Sequence, residues 1–273
     1  MCEIYEVSRS GYYEWKERPL SPQQKENNEI LKLMKESYKE NQGMCGLDKM
    51  LEDVRETFPS CGRNRVYRLQ KEHRLYARRK KKRKVLTTDS KHSLPVAENL
   101  LNQDFETSAK NQVWVTDITQ FVSEKGNLYL AIVKDLYTKE IVGWALEKHM
   151  RTSLCLSALE KAFNKHRPSK GLIHHSDRGS QYCSYEYQQK LHSYGMKPSM
   201  SRKGNCWDNA PAESFFSALK TERVGLQSYK NLKEAKQDLY WYIDQFYNRK
   251  RRHQALGNLR IPDFIASQQL MVA

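Results

Sequence analysis

The chain has 273 residues, of which 38% are hydrophobic and 11% aromatic, and its 47 lysines and arginines exceed its 32 aspartates and glutamates by fifteen charges. That length allows two ordinary domains or one large one, and five tryptophans and sixteen tyrosines argue against wholesale disorder. The longest apolar stretches, Leu128–Val133 and Ile141–Leu146, are six residues each, against about twenty for a membrane span, which excludes an integral helical membrane protein.

The first residues, Met1 to Glu6, form neither a basic n-region nor an apolar h-region, so no secretory signal is expected and the chain is placed in the cytoplasm. Six cysteines stand at least sixteen residues apart with no CxxC or Cys/His ligand spacing, so no zinc site is expected.

The charge is uneven. Residues 1–62 carry nine basic and twelve acidic side chains, residues 63–84 twelve and one, and residues 85–273 twenty-six and nineteen. The concentrated stretch ends in Arg78-Arg79-Lys80-Lys81-Lys82-Arg83-Lys84, a patch suited to a polyanion such as double-stranded DNA. A solvated basic run is the bland alternative.

In chain order, Ser21-Pro22-Gln23-Gln24 reads as a capping-box start, followed by Ile30, Leu31, Met34 and Tyr38 at helical spacing. Leu47, Met50, Leu51, Val54 and Phe58 mark a second helix closed by Pro59. A third, from Arg63 to about Leu75, turns Val66 and Leu69 inward and Arg63, Arg65, Arg68, Lys71 and Arg74 outward. Two short helices, a glycine turn and a basic third helix make a helix-turn-helix over about 24–76, within an all-α DNA-binding module 1–84. Residues 85–110 lack periodicity and read as a linker.

Residues 111–265 follow as an α/β domain. Strands are expected over Gln112–Ile118, Gly126–Asp135 and Lys139–Leu146, the last two joined at Leu136-Tyr137-Thr138. A helix over Thr152–His166, a strand over Gly171–His175 and a helix over Ser184–Tyr194 come next, then a mostly helical tail from Pro211 to about Tyr247. This order matches a ribonuclease-H-like mixed sheet.

Three acids stand apart: Asp117 near the end of the first strand, Asp177 after the buried strand, and Glu213 opening a helix. Carboxylates so placed can converge as hard-oxygen ligands for Mg²⁺ or Mn²⁺. Spacing alone decides nothing, since 32 acids in 273 positions give about four acidic pairs at any separation by chance. The neighbours decide it: an acid inside the apolar run Val113–Ile118 is costly unless paired or metal-bound.

The segments Trp114-Val115-Thr116-Asp117-Ile118-Thr119, His175-Ser176-Asp177-Arg178-Gly179-Ser180-Gln181-Tyr182 and Gly204-Asn205-Cys206-Trp207-Asp208-Asn209-Ala210-Pro211-Ala212-Glu213-Ser214-Phe215-Phe216 resemble the catalytic domain of DDE-type insertion-sequence transposases, the second-reading-frame (OrfB-type) products with a retroviral-integrase-like core. The resemblance covers nearly the whole chain. It implies a metal triad and catalytic set of Asp117, Asp177 and Glu213, two Mg²⁺ (or Mn²⁺) ions, and Lys220 as a phosphate-binding residue. It further implies metal-dependent cleavage at element ends, strand transfer by the 3′-OH, a homo-oligomer on DNA in the nucleoid and a possible upstream-frame partner protein. Glu213 and Lys220 are i and i+7, on one helix face.

Further residues carry weaker expectations. Arg249-Lys250-Arg251-Arg252 is a second basic cluster in which Arg249 and Arg252 are expected on phosphate. Asp208 reads as a loop or cap acid, Asp135 as a hairpin-turn acid and the adjacent His174 and His175 as strand packing. Trp207 either packs or stacks on a base. A catalytically inactive, domesticated repressor and a stand-alone nuclease are the rival readings.

Overall fold

The computed structural model describes Cys2, residues 4–78 and residues 94–272, and divides into two compact units, Met1–Ala77 and Arg78–Ala273.

In the first unit, α1 (Arg9–Glu17) starts where the Ser8 hydroxyl accepts the Gly11 amide, and none of its residues is buried. The apolar periodicity predicts no helix there, although Ser8 is a legible cap. α2 (Pro22–Glu40) opens on the expected capping box: Ser21 Oγ accepts Gln24 N–H at 3.2 Å and Gln24 Oε1 accepts Ser21 N–H at 2.8 Å. It has 19 residues, so the unit is not built on two short leading helices. α3 (Leu47–Arg55) and α4 (Arg63–Glu72) close the bundle, burying Ile30, Met34, Met50, Leu51, Val54, Val66 and Leu69 in one core. α4 stops short of Leu75 because Arg74 turns to φ 54° and the Gln70 amide donates to Leu75 O.

The second unit carries a five-stranded sheet of β1 (Val113–Ser123), β2 (Gly126–Asp135), β3 (Ile141–Glu147), β4 (Ile173–Ser176) and β5 (Lys197–Met200) in the order β3-β2-β1-β4-β5. β1, β2 and β3 pair antiparallel, while β4 and β5 run parallel to β1. This is the ribonuclease-H-like mixed sheet that the sequence pattern predicts. Between β3 and β4 runs α5 (Thr152–His166), and α6 (Ser180–Cys183) and α7 (Tyr185–Ser193) separate β4 from β5. Trp114 and Ile118 of β1 share a core with Leu154, Ala158, Leu159 and Tyr187 of these helices. α5 approaches closely because β3 carries Gly143, where a Cβ would come within 2.3 Å of Ala158 O and 2.7 Å of Ala162 Cβ.

Odd-numbered residues of β1 face the opposite way, toward α8 (Ala210–Glu222), where Lys134, paired with Val115, donates to Pro211 O at 2.9 Å. α9 (Leu232–Tyr240) continues into a π-helical stretch over Trp241–Tyr247, and a hairpin of β6 (Arg252–His253) and β7 (Leu259–Arg260) leads to α10 (Ile261–Val272). Among the described residues no helix is long and apolar enough to cross a membrane.

Two expectations need correction. β1 extends to Ser123 because β2 pairs with it along its whole length, so Asp117 lies inside the strand and not near its end. The described part of the 85–110 linker is packed: Leu94 and Ala97 lie on the core, Leu101 is buried, and Leu100 N–H donates to Ser199 Oγ at 2.9 Å. Such a segment satisfies its backbone on side chains and so shows no periodicity.

His174 is buried against the Tyr187 hydroxyl at 3.2 Å, and burial drives its pKa down to about 3. A histidine kept neutral in the fold but protonated at its ordinary 6.5 when unfolded binds more protons in the unfolded state, so stability falls as pH drops below 6.5. The expected loss is about 2 kcal/mol between pH 6.5 and 5, at about 1.4 kcal/mol per pH unit. Urea melts at both pH values, compared with those of His174→Gln, check it; an equal pH slope in the variant contradicts it.

Candidate active site

The register of the sheet brings the first two acids together. β1 and β4 run parallel with Val115 beside His175, so two residues further along each chain, on the same face, come Asp117 and Asp177. Asp117 is half-buried, and its Oδ1 accepts the Ile118 amide at 2.7 Å. Asp177 Oδ1 accepts the Gly179 amide at 3.0 Å, and a Cβ at Gly179 would stand 3.1 Å from that oxygen. Gly179 thus keeps space for the carboxylate, a role that spacing arguments miss.

α8 supplies the third acid. Asn209, before its first residue, donates from Nδ2 to Thr116 O at 3.1 Å, tying the helix start to the strand residue preceding Asp117. Glu213 falls in the first turn, exposed, where the helix N-terminus favours a negative charge. Burial pushes the Asp117 carboxyl well above the usual carboxylate range, and the charges of Asp177 and Glu213 push it further; Lys220 pulls the other way. Burial in turn lowers the half-buried Lys220 ammonium, and Asp117 raises it. Asp177, Glu213 and Lys220 therefore all lie within electrostatic reach of Asp117. Among the described residues no three His, Cys, Asp or Glu side chains stand close enough to hold an ion as they are.

The other sequence-predicted residues sort differently. Asp208, on the turn Cys206–Asn209, is fully buried, which its loop position does not suggest, and accepts from Arg202 Nε, Nη2 and N–H, from Asn99 Nδ2 and from Gln103 Nε2, all at 2.8–3.0 Å. Those hydrogen bonds hold its pKa far below the usual carboxylate range. Asp135 caps its turn by accepting from Thr138 N–H and Oγ1. Arg252 is buried and donates to Asn258 O, so the structure does not present it to DNA, whereas Arg249 is exposed. Arg251 is committed to Glu222. In the first unit Arg65 points inward to Glu26 and Asn27, Arg63 pairs with Asp48 and Arg68 lies 3.9 Å from Glu72. Lys71 and Arg78 are exposed. Arg79, Lys80, Lys81, Lys82, Arg83 and Lys84 lie outside the described residues.

Similarity to known proteins agrees with this layout. Family models for the integrase core domain match residues 107–206 and 194–260, and one for an HTH-like domain matches 25–83. A 31 kDa protein of insertion element IS600 from Shigella sonnei is 46% identical over the full length of both chains. Transposase InsF for insertion sequence IS3A from Escherichia coli K12 is 34% identical over 97% of this chain and 92% of its own. The chain belongs to the insertion-sequence transposase family. Its chemistry is therefore DNA transposition, carried by an integrase core of the polynucleotidyl-transferase kind. Among solved structures, the HTLV-2 integrase catalytic core in complex with magnesium covers 56% of this chain and 94% of its own at 17% identity, with a TM-score of 0.42.

Proposed function

We propose that Asp117, Asp177 and Glu213 form a divalent-cation site at which this transposase cuts element ends and joins them to target DNA. The observation that carries the reading is the parallel register of β1 and β4, which sets Asp117 and Asp177 at the same level, with Glu213 and Lys220 close enough for their charges to act on the half-buried Asp117. The donor set fits: hard oxygens suit Mg²⁺ or Mn²⁺, and the excess negative charge is what a dication neutralises. Two such ions would supply charge stabilisation to the attacking and leaving oxygens of a phosphodiester.

The chain's own residues hold the site. β1 and β4 set the spacing of the two aspartates, Asn209 anchors the third acid, and Lys220 positions the phosphate from the same helix face as Glu213. In the first step water attacks a phosphodiester at the element end and a 3′-OH leaves. In the second that hydroxyl attacks a target phosphodiester and expels another 3′-oxygen, so no serine or tyrosine ester to DNA is formed. Affinity for duplex comes from the basic stretch 63–84, in assemblies of more than one copy, with an upstream-frame protein as a further partner.

The test is strand cleavage and end joining on a duplex carrying the element's terminal repeat. Both products should form with Mg²⁺ or Mn²⁺ and neither with EDTA; cleavage that persists in EDTA contradicts the metal site.

Replacing Arg79, Lys80, Lys81 and Lys82 together with glutamine is expected to weaken binding to every duplex sequence alike. Each phosphate that is no longer neutralised removes about 0.9 from the log–log salt slope. Binding isotherms across salt concentrations measure it, and an unchanged slope means that the run does not touch phosphate.

A further inference from the structure

Trp207 is 71% exposed, a large apolar surface left in water. The turn that presents it, Cys206–Asn209, is tied down on both sides. Asn205 Oδ1 accepts the Trp207 amide at 3.1 Å. Asp208, next in the chain, is fully buried among donors from Arg202, Asn99 and Gln103. Asn209, 5% exposed, reaches Thr116 O beside Asp117. A buried five-donor carboxylate is an expensive device for a surface turn, and the side chain it leaves outside is an indole. Packing within its own unit does not account for that side chain.

We propose that Trp207 is a stacking post for a nucleobase that leaves the duplex beside the phosphodiester being cut. The proposal rests on the carboxylate reading for the position of that phosphodiester. Trp207 precedes Glu213 by six residues, on the turn that leads directly into the helix carrying that acid. Lys203, exposed on the approach to the turn, supplies charge for the adjoining phosphate. Every base offers a π-face, so the stacking needs no sequence preference, and a base stacked on an aromatic ring is held strongly enough to offset much of its unstacking.

The experiment compares cleavage by the full chain on two duplexes of one sequence, one fully paired and one mismatched at the base pairs flanking the scissile phosphate. Trp207→Ala is expected to cut the paired duplex about five- to 150-fold more slowly, the range that alanine substitution at base-stacking positions implies. On the mismatched duplex it should recover to within about threefold of wild type, a ratio that loss of fold or of general affinity would not move. Trp207→Phe keeps a ring and should retain most activity on both. Tryptophan fluorescence of the Asp177→Asn protein should be quenched on duplex binding, and less so when Trp207→Phe is added. That quenching reads the post without cleavage, so its loss overturns the stacking proposal, whereas an Asp177→Asn protein that still cleaves overturns the carboxylate reading. Equal slowing of Trp207→Ala on paired and mismatched duplexes overturns the proposal as well.

Discussion

Asparagine at Asp117 or Asp177, or glutamine at Glu213, is expected to lower strand cleavage by roughly a hundredfold to a thousandfold while duplex binding persists. Each amide keeps the shape of the acid and removes one negative charge from a site suited to two dications. The stabilisation removed at the transition state is several kcal/mol, and about 1.4 kcal/mol is a factor of ten in rate. Binding persists because its phosphate partners are assigned to the basic stretch ending at Lys84. Lys220→Ala belongs to the same series: cleavage should fall more than affinity, since only one of many charges on phosphate is removed but positioning suffers. Single-turnover cleavage with Mg²⁺ limiting, run beside a binding assay, measures all four variants. Any acid whose amide stays within tenfold of wild type does not belong to the site.

Asp208→Asn is expected to destabilise the second unit, an effect that its position in the sequence does not suggest. The amide would turn an NH₂ toward donors and lose the charge that Arg202 meets bidentately. Breaking a buried pair costs about 3–5 kcal/mol, reduced here to about 2 because the Arg202 side chain is 52% exposed and screened by water. For a unit of this size that lowers the melting temperature by about 6 °C. The sign with pH follows from the depressed pKa of Asp208: its contribution is complete above the ordinary carboxylate value near 3.8 and is lost as pH falls toward the folded value. Melting curves of wild type and Asp208→Asn should differ most at pH 7, and the difference should narrow steadily as pH falls from 4 to 2. Because the turn carrying Trp207 stands on this carboxylate, the variant does not serve as a neutral control for the three acids.

The legible part of the fold was periodic. β2 and α5 occupy the expected residues, Gly126–Asp135 and Thr152–His166, because their apolar patterns run the full length of each element. Asp117, Asp177 and Glu213 stood out because each interrupts or borders an apolar element. What could not be read were partnerships between residues far apart in the chain. Asp208 meets Asn99 and Gln103 across more than a hundred residues, and Arg65 meets Glu26 across 39. Basic residues counted as an outward face were thus in part spent on neighbouring acids, and Arg252 was drawn into its hairpin by Asn258. Sequence periodicity carries no trace of such pairs, because each partner follows its own local pattern.

The central claim is that Asp117, Asp177 and Glu213 repel one another until a dication joins them, and the melting temperature of the second unit tests it most directly. In EDTA at pH 7, Asp117→Asn should melt a few degrees above wild type, because burial and the charges of Asp177 and Glu213 all oppose the ionised Asp117. Titrating Mg²⁺ or Mn²⁺ should raise the wild type through ligand linkage and leave the variant nearly unmoved, so that the order of the two reverses. Parallel curves, with the same metal-induced shift in both proteins, would contradict the claim.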